Sequence, residues 1–263
     1  MKVTVGMSAA ARVNPMMNAL REPQRIVVLG GTSDIALAIV RELAAPAMHV
    51  SLVGRDAESL ISAAASLSGL GVAVSTHVCD ARDLASHTET LNDVFVNEVD
   101  IVIVAAGVLV GGDPEADVHA AVQSLEVNGT GGTSWLLGSH AHMRAQGHGV
   151  LVVLSSFAVV RPRPSNWVYG AGKAMLDFAA RGLMSRPDDP VEVVLVRPGF
   201  VHSKMTAGRA VAPFAVKPQA VARATARAVR AGGNRVVWVP PIVQHVARLL
   251  AVLPMSVVRR VDR

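Results

Sequence analysis

The sequence predicts an α/β protein: a doubly wound, parallel sheet of about seven strands in a single domain, followed by a C-terminal amphipathic extension. Three observations predict it. Short runs of Val, Ile and Leu alternate with longer Ala-rich amphipathic stretches from Arg25 to Val239 of the 263 residues. That is the pattern of buried parallel strands joined by crossover helices. The composition is 51% apolar but only 3% aromatic, so the core is built from Val, Ala and Leu rather than from rings. The first apolar run, Arg25–Leu29, passes directly into Gly30-Gly31-Thr32-Ser33, a strand–turn–helix start.

The expected organisation is a flexible leader over 1–24, a folded domain over 25–239 and a basic amphipathic tail over 240–263. Met7, Met16 and Met17 offer alternative starts within the leader, which has no continuous apolar core of the signal-peptide kind. Net charge is +5, and the basic residues are scattered apart from Arg259, Arg260 and Arg263. Without a basic stripe and interleaved aromatics, nucleic acid is not an expected partner. The positive balance suits a phosphorylated cofactor or an anionic lipid surface. Cys79 is the only cysteine, so no internal disulfide can form and a disulfide-built secreted domain is excluded. No run reaches membrane-spanning length. His140, His142 and His148 lack cysteine or carboxylate partners at ligand spacing and are expected as solvated helix-end residues, with no metal site.

Along the chain, the turn after Arg25–Leu29 opens a helix expected to reach about Ala45. Backbone N–H groups and the helix dipole at such a turn can hold a pyrophosphate. Asp34 fits poorly there, because a carboxylate repels a phosphate; its alternative use is as a helix cap. A second strand, Met48–Val53, ends at Gly54-Arg55. An arginine at that point accommodates a ribose 2′-phosphate, so Arg55 favours NADP over NAD. The plainer alternative is a solvated Arg55 with Asp56 capping the next helix. Gly71–Val78 is a third strand leading to Cys79-Asp80, and Asp100–Gly107 a fourth. A helix is expected from about Pro114 to Met143. Asn128 begins a cluster of poor helix formers through Thr133, which argues for a bend.

Gly149–Ser156 reads as a buried strand ending in a hydroxyl, and the carboxyl ends of such strands are where ligands sit. Tyr169, the only tyrosine, lies four residues before Lys173, so a helix would place both on one face. Phenol, ammonium and hydroxyl together can deliver a proton: the phenol is the acid, the cation lowers its pKa, and Ser156 holds the substrate oxygen. A sixth strand over Val191–Val196, a loop over Lys204–Lys217 expected to form a mobile cover over the substrate, a helix over Pro218–Ala231 and a last strand over Arg235–Val239 complete the domain.

Ser156-x12-Tyr169-x3-Lys173 resembles the active-site signature of the short-chain dehydrogenases/reductases, and the resemblance covers Arg25–Val239. It implies a Rossmann-type fold and a dinucleotide bound by Gly30, Thr32, Ser33, Asp34 and Ile35. The family loop, Gly-x3-Gly-x-Gly, is matched at Gly30 but carries Asp34 and Ala36 at its second and third glycines. By the same resemblance Asp80 contacts the adenine, though it could equally cap a helix. Ala106 and Gly107 lie against the cofactor, with Ala105 in place of a usual asparagine. Asn128 joins Ser156, Tyr169 and Lys173 in the catalytic set by binding a water near the lysine. Tyr169 and Lys173 also contact the cofactor. Pro198, Gly199, Val201 and Ser203 meet the nicotinamide, with Ser203 replacing a threonine. A homodimer or homotetramer is the family norm.

The tail places Ile242, Val246, Leu249, Leu250 and Leu253 on one predicted helical face, opposite Gln244, His245 and Arg248. That face can lie on a membrane or pack on the protein. With the glycine loop, the Asn166–Lys173 run, the Arg197–Met205 run and Val236–Pro241, it resembles the family's reductases of polyprenylphosphoryl 2-keto-ribose in mycobacteria and relatives. These act after a flavin oxidase partner in making cell-wall arabinan precursors. The resemblance implies an NADPH-dependent ketone reductase working on a membrane-embedded, lipid-linked sugar; NADPH supply argues for the cytoplasm, with peripheral contact at the inner membrane. The alternatives are a paralogue for another soluble or fatty ketone, and a non-catalytic NADP-binding sensor.

Overall fold

The structure is a computed structural model that describes residues 22–110 and 114–254. Most of the leader, and Arg259, Arg260 and Arg263 of the tail, lie outside the described residues. Seven strands form one parallel sheet in the order β3-β2-β1-β4-β5-β6-β7. They are β1 (Arg25–Leu29), β2 (His49–Gly54), β3 (Ala73–Val78), β4 (Ile101–Val104), β5 (Gly149–Leu154), β6 (Val191–Pro198) and β7 (Arg235–Val239). The strand order reverses beside β1, which makes the carboxyl ends of β1 and β4 the topological switch point.

Alternation along the strands divides the core in two. Ile26, Val28, Ile101, Ile103, Val152 and Val194 face a layer of α1 (Asp34–Leu43), α2 (Ala57–Ala65) and α7 (Pro218–Ala231). Val27, Leu29, Val102, Val104, Val153 and Leu195 face α3 (Leu84–Val94), α5 (Gly132–Gln146) and α6 (Trp167–Met184). Both faces of the sheet are covered, as the continuous Val/Ile/Leu runs require. The doubly wound, Rossmann-type fold expected from sequence is the one observed.

Several boundaries move for identifiable reasons. β4 begins at Ile101, and the preceding Asp100 carboxylate accepts from the amides of Gln24 (2.6 Å) and Arg25 (2.9 Å), closing the lower end of the sheet. β3 begins at Ala73 because Gly71 sits in the left-handed region at φ 68°. The long helix expected from Pro114 is two helices, α4 (Val118–Leu125) and α5, joined by a π-helical turn over Glu126–Gly131. The bend foreseen at Asn128 is that turn. A wider turn also brings the backbone close to its neighbours: a Cβ on Gly131 would collide with the Ala81 carbonyl oxygen, and one on Gly172 of α6 would lie 2.8 Å from the Asn128 Cβ.

The histidines at the end of α5 are not solvated as expected. His140 is buried and its Nε2 meets the buried Asp189 carboxylate at 3.0 Å. His148 is buried with Glu98 3.6 Å from its Nε2, and His142 stacks on Phe95. They pin α5 to its surroundings, and no cluster suited to a metal ion occurs among the described residues.

The tail forms α8 (Ile242–Val252). Its docking face differs from the predicted stripe: Val243 and Ala247 are the buried residues, and Val243 packs over Gly199. Ile242, Leu249 and Val252 stay exposed. Arg161 Nη1 donates to the carbonyls of Ala251 (2.7 Å) and Leu250 (3.3 Å), so a cation meets the negative end of the helix.

Two glycine substitutions should separate close approach from mere flexibility. Gly131→Ala is expected to lower the unfolding free energy by about 1–3 kcal/mol, the usual range for overpacking. Gly182→Ala, with open space around an exposed α6 position, should raise it by about 0.5–1 kcal/mol. Urea denaturation of both variants measures the contrast.

Candidate active site

A cleft of about 370 Å³ opens at the carboxyl ends of β1, β2 and β4. The β1–α1 turn forms one wall. Gly30 adopts φ 99°, and a Cβ there would lie 2.5 Å from the Ala106 amide nitrogen. Only glycine allows the turn to press on the strand-end loop in this way. The amides of Gly30 and Gly31 both donate to the Val53 carbonyl, at 2.9 and 2.8 Å, which fixes the turn to β2. Ser33 caps α1 by accepting from the Ala36 amide at 3.3 Å. Ala36 is fully buried against the core, and a small residue at this third loop position serves close helix–strand packing.

Asp34 is therefore not the cap of α1. Its carboxylate reaches the segment after β6 instead: Oδ2 accepts from the Lys204 amide at 2.7 Å, and Oδ1 lies 3.4 Å from the Lys204 ammonium. The charge that fitted poorly beside a phosphate is matched by a cation. Gly30, Thr32, Ser33, Asp34 and Ile35 all line the cleft.

Arg55 stands exposed at the end of β2 and lines the cleft, while Asp56 caps α2 through the Ser59 amide at 2.7 Å. Asp56 thus takes the capping role of the plainer reading, with Arg55 at the rim of the cleft. Asp80 lines the cleft beyond β3. Arg82 pairs with it at 2.9 Å, and hydrogen bonds from that guanidinium hold the Asp80 carboxyl below the usual range against the opposing effect of burial. Asp80 does not cap α3, whose N-cap is Asp83. Ala106 and Gly107 form the floor, and a Cβ on Gly107 would lie 2.9 Å from Asn128 Oδ1 and 3.2 Å from Lys173 Nζ.

Lys173 sits beneath that floor, 3% exposed. Its ammonium donates to the Leu154 carbonyl (3.0 Å) at the end of β5 and to the Ala106 carbonyl (3.2 Å) beyond β4. Burial pushes its pKa down to about 8. Tyr169, one turn earlier on α6, is hydrogen-bonded to Ser156. Burial raises the phenol pKa, and the Ser156 bond opposes that rise. The lowering expected from Lys173 is not seen in the chain alone: burial is the larger cause, only the Ser156 bond opposes it, and the ammonium is committed to two carbonyls. Ser156 also accepts from the Ala158 amide at 3.1 Å.

Asn128 is fully buried, and its side chain is spent on protein. Nδ2 donates to the carbonyls of Val108 (2.7 Å) and Ser124 (2.8 Å), and Oδ1 accepts from the Val108 amide (3.2 Å). It braces the loop after β4. Of the residues expected from the segment after β6, only Ser203 lines the cleft. Pro198 ends β6, Gly199 is tied to the Val239 carbonyl (2.8 Å), and Val201 is buried with its carbonyl accepting from Thr206 Oγ1 at 2.6 Å.

Sequence reasoning did not find the network below the site. Asp177, one turn after Lys173, accepts from Ser155 Oγ (2.6 Å) and from Arg197 (2.7 and 2.8 Å), whose guanidinium lies over the Trp238 ring. Burial alone would raise the Asp177 pKa, but Arg197 and Ser155 bring it below the usual value. Trp135 was also missed as a cleft residue, since no motif marks it and it joins the cleft through tertiary packing; Lys204 and Met205, at the start of the expected covering loop, line the cleft as well.

The lysine gives a measurable pH signature. Between its folded pKa of about 8 and its ordinary 10.5, the unfolded chain binds the extra proton, so stability from this group rises with pH across that window. The difference in unfolding free energy, wild type minus Lys173→Met, should grow on the order of 3 kcal/mol from below pH 8 to pH 10.5. A difference that stays flat or shrinks in paired denaturation curves contradicts the burial of a charged amine here.

Residues 24–212 match the short chain dehydrogenase family. An uncharacterized oxidoreductase of Mycobacterium tuberculosis is 39% identical over 245 residues, spanning 90% of this chain and 97% of that protein. Another uncharacterized oxidoreductase, from Streptomyces coelicolor, is 39% identical over 244 residues, covering 90% and 96%. Among solved structures, an alcohol dehydrogenase of the archaeon Thermococcus sibiricus, complexed with 5-hydroxy-NADP, superposes with a TM-score of 0.71 at 22% identity, over 82% of this chain and 95% of that one. Fold, family match and near-full-length relatives agree, and the chain belongs to the short-chain dehydrogenase/reductase family of oxidoreductases.

Proposed function

We propose that the chain is an NADPH-dependent reductase of a ketone, with Tyr169 as the proton donor. The observation that carries this reading is the junction beneath the cleft floor. One ammonium, Lys173, bonds the Ala106 carbonyl of the cleft and the Leu154 carbonyl two residues before Ser156, while Tyr169 on the same helix bonds Ser156. Arg55 at the cleft rim supplies the charge for a 2′-phosphate, and the glycine turn at α1 supplies a pyrophosphate cradle. The bound dinucleotide supplies a hydride. The protein does the rest: Ser156 and Tyr169 hold the carbonyl oxygen, Tyr169 transfers its proton to that oxygen, and Lys173 steadies the resulting phenolate. Asn128 keeps the floor loop in place beside the lysine.

For the substrate, the finer reading is the 2-keto sugar of a polyprenylphosphoryl pentose, received from a flavin oxidase partner at the cytoplasmic face of the membrane. It is supported by the motif resemblance and by the apolar residues Ile242, Leu249 and Val252, exposed on a helix tied through Arg161 to the loop joining Ser156 and Tyr169. The second reading, another soluble or fatty ketone, is favoured by the seating of Val243 and Ala247, which packs α8 on the domain itself. No helix among the described residues is long and apolar enough to cross a membrane. Exposed Val118 and Val122 of α4, beside Met175 and Phe178 of α6, support association into a homodimer or homotetramer.

Turnover of NADPH with polyprenylphosphoryl 2-keto-ribose, generated in place by a flavin oxidase, tests the reading. Tyr169→Phe should lower the rate about 10²–10⁴-fold while NADPH binding persists. Unchanged turnover in that variant would remove the phenol from the chemistry. Arg55→Ala should weaken NADPH binding more than NADH binding; equal losses would disprove the 2′-phosphate role. Deleting residues 242–263 should abolish binding to anionic liposomes with the fold intact, and retained binding would favour the soluble ketone.

A further inference from the structure

We infer that Asp34 is a positioning residue whose carboxylate holds the Ser203–Thr206 turn across the mouth of the dinucleotide cleft and thereby slows release of the bound cofactor. This rests on the NADPH reading above. The contact joins residues 170 positions apart, from the first turn of α1 to the first residue of the short helical turn Lys204–Thr206. α1 does not need Asp34 for its own capping, because Ser33 already accepts from the Ala36 amide. The carboxylate is free to act across the cleft.

The backbone bond is the stronger half of the tie. The Lys204 side chain is 73% exposed, so its ion pair with Asp34 is screened by solvent, whereas the 2.7 Å amide–carboxylate bond is short and charge-assisted. Thr206 anchors the other end of the turn through the buried Val201 carbonyl. Beyond it the chain is largely exposed, with Val211 and Phe214 turned to solvent. The Ser203–Met205 side is thus held to α1 through Asp34. The pair also stands as a partition. On its far side lies a second groove of about 430 Å³, lined by Arg41, Ser62, Ser66 and Gln219, which shares Asp34, Ser59 and Lys204 with the cleft. Lifting the turn from α1 would merge the two spaces and open the cleft. Where the family loop carries a glycine, no such tie can form.

The test is the NADPH release rate, measured by displacement in stopped flow, with amide hydrogen exchange at Lys204 in cofactor-free protein as a second readout. Asp34→Ala should speed release about tenfold, equivalent to about 1.4 kcal/mol, and speed exchange of the Lys204 amide. Lys204→Pro deletes the same donor at a position that accepts proline, since Ser203 is extended before it. It should match Asp34→Ala, and the double variant should release no faster than either alone. Asp34→Asn keeps an acceptor and should fall between. Release in Asp34→Ala that is unchanged or slower, or additive effects in the double variant, overturns the inference while leaving the cofactor reading intact. Wild-type protein that binds no NADPH overturns both.

Discussion

The site depends on one buried amine. Lys173 reaches from α6 to two neighbouring strand ends and bonds a carbonyl from each. An ammonium out of water is costly unless its donors are met, and burial is the cause of its lowered pKa. The helix must therefore approach the sheet closely and in one register. Glycines make that approach possible: Gly172 faces Asn128, and Gly107 lies between the Asn128 amide and the Lys173 ammonium. The π-helical turn, the bracing of Val108 by Asn128 and the placement of Tyr169 beside Ser156 follow from where that amine has to be.

Around this junction the structure separates rigid from adjustable parts. The floor and the β1–α1 wall are set by backbone contacts that tolerate no Cβ at Gly30. Below, Ser155, Asp177 and Arg197 interlock the end of β5 with α6 and β6. The far wall, from Ser203 onward, has lighter support: a one-turn helix, one threonine anchor and the Asp34 contact. Loops of this kind, borne by a stiff scaffold, are where local opening is cheapest.

Much of this was legible in the sequence. α7 and β7 fall where Pro218 at the first helical position and the glycines after Ala231 place them. The cluster from Asn128 to Thr133 announced its interruption of a long helix through propensity alone. The spacing of Tyr169 and Lys173 carried their shared face. What stayed hidden depends on partners distant in the chain. Asp34 reads as misplaced until Lys204 stands beside it. His140 reads as solvated until Asp189 closes over it, and Asp177 looks like an ordinary helix residue until Ser155 and Arg197 converge on it. On α8 the expected stripe and the docked face differ because a short amphipathic helix with apolar residues on most sides can seat itself in more than one phase.

Tyr169 is the only tyrosine in the chain. In a protein with several tyrosines the phenols merge into one ultraviolet titration curve; here the band belongs to a single ring. The tyrosinate absorbance near the edge of the tryptophan spectrum becomes an intrinsic optical electrode for the proposed proton donor. It needs no label and no isotopic substitution, and it responds to whatever occupies the space around Ser156 and Lys173.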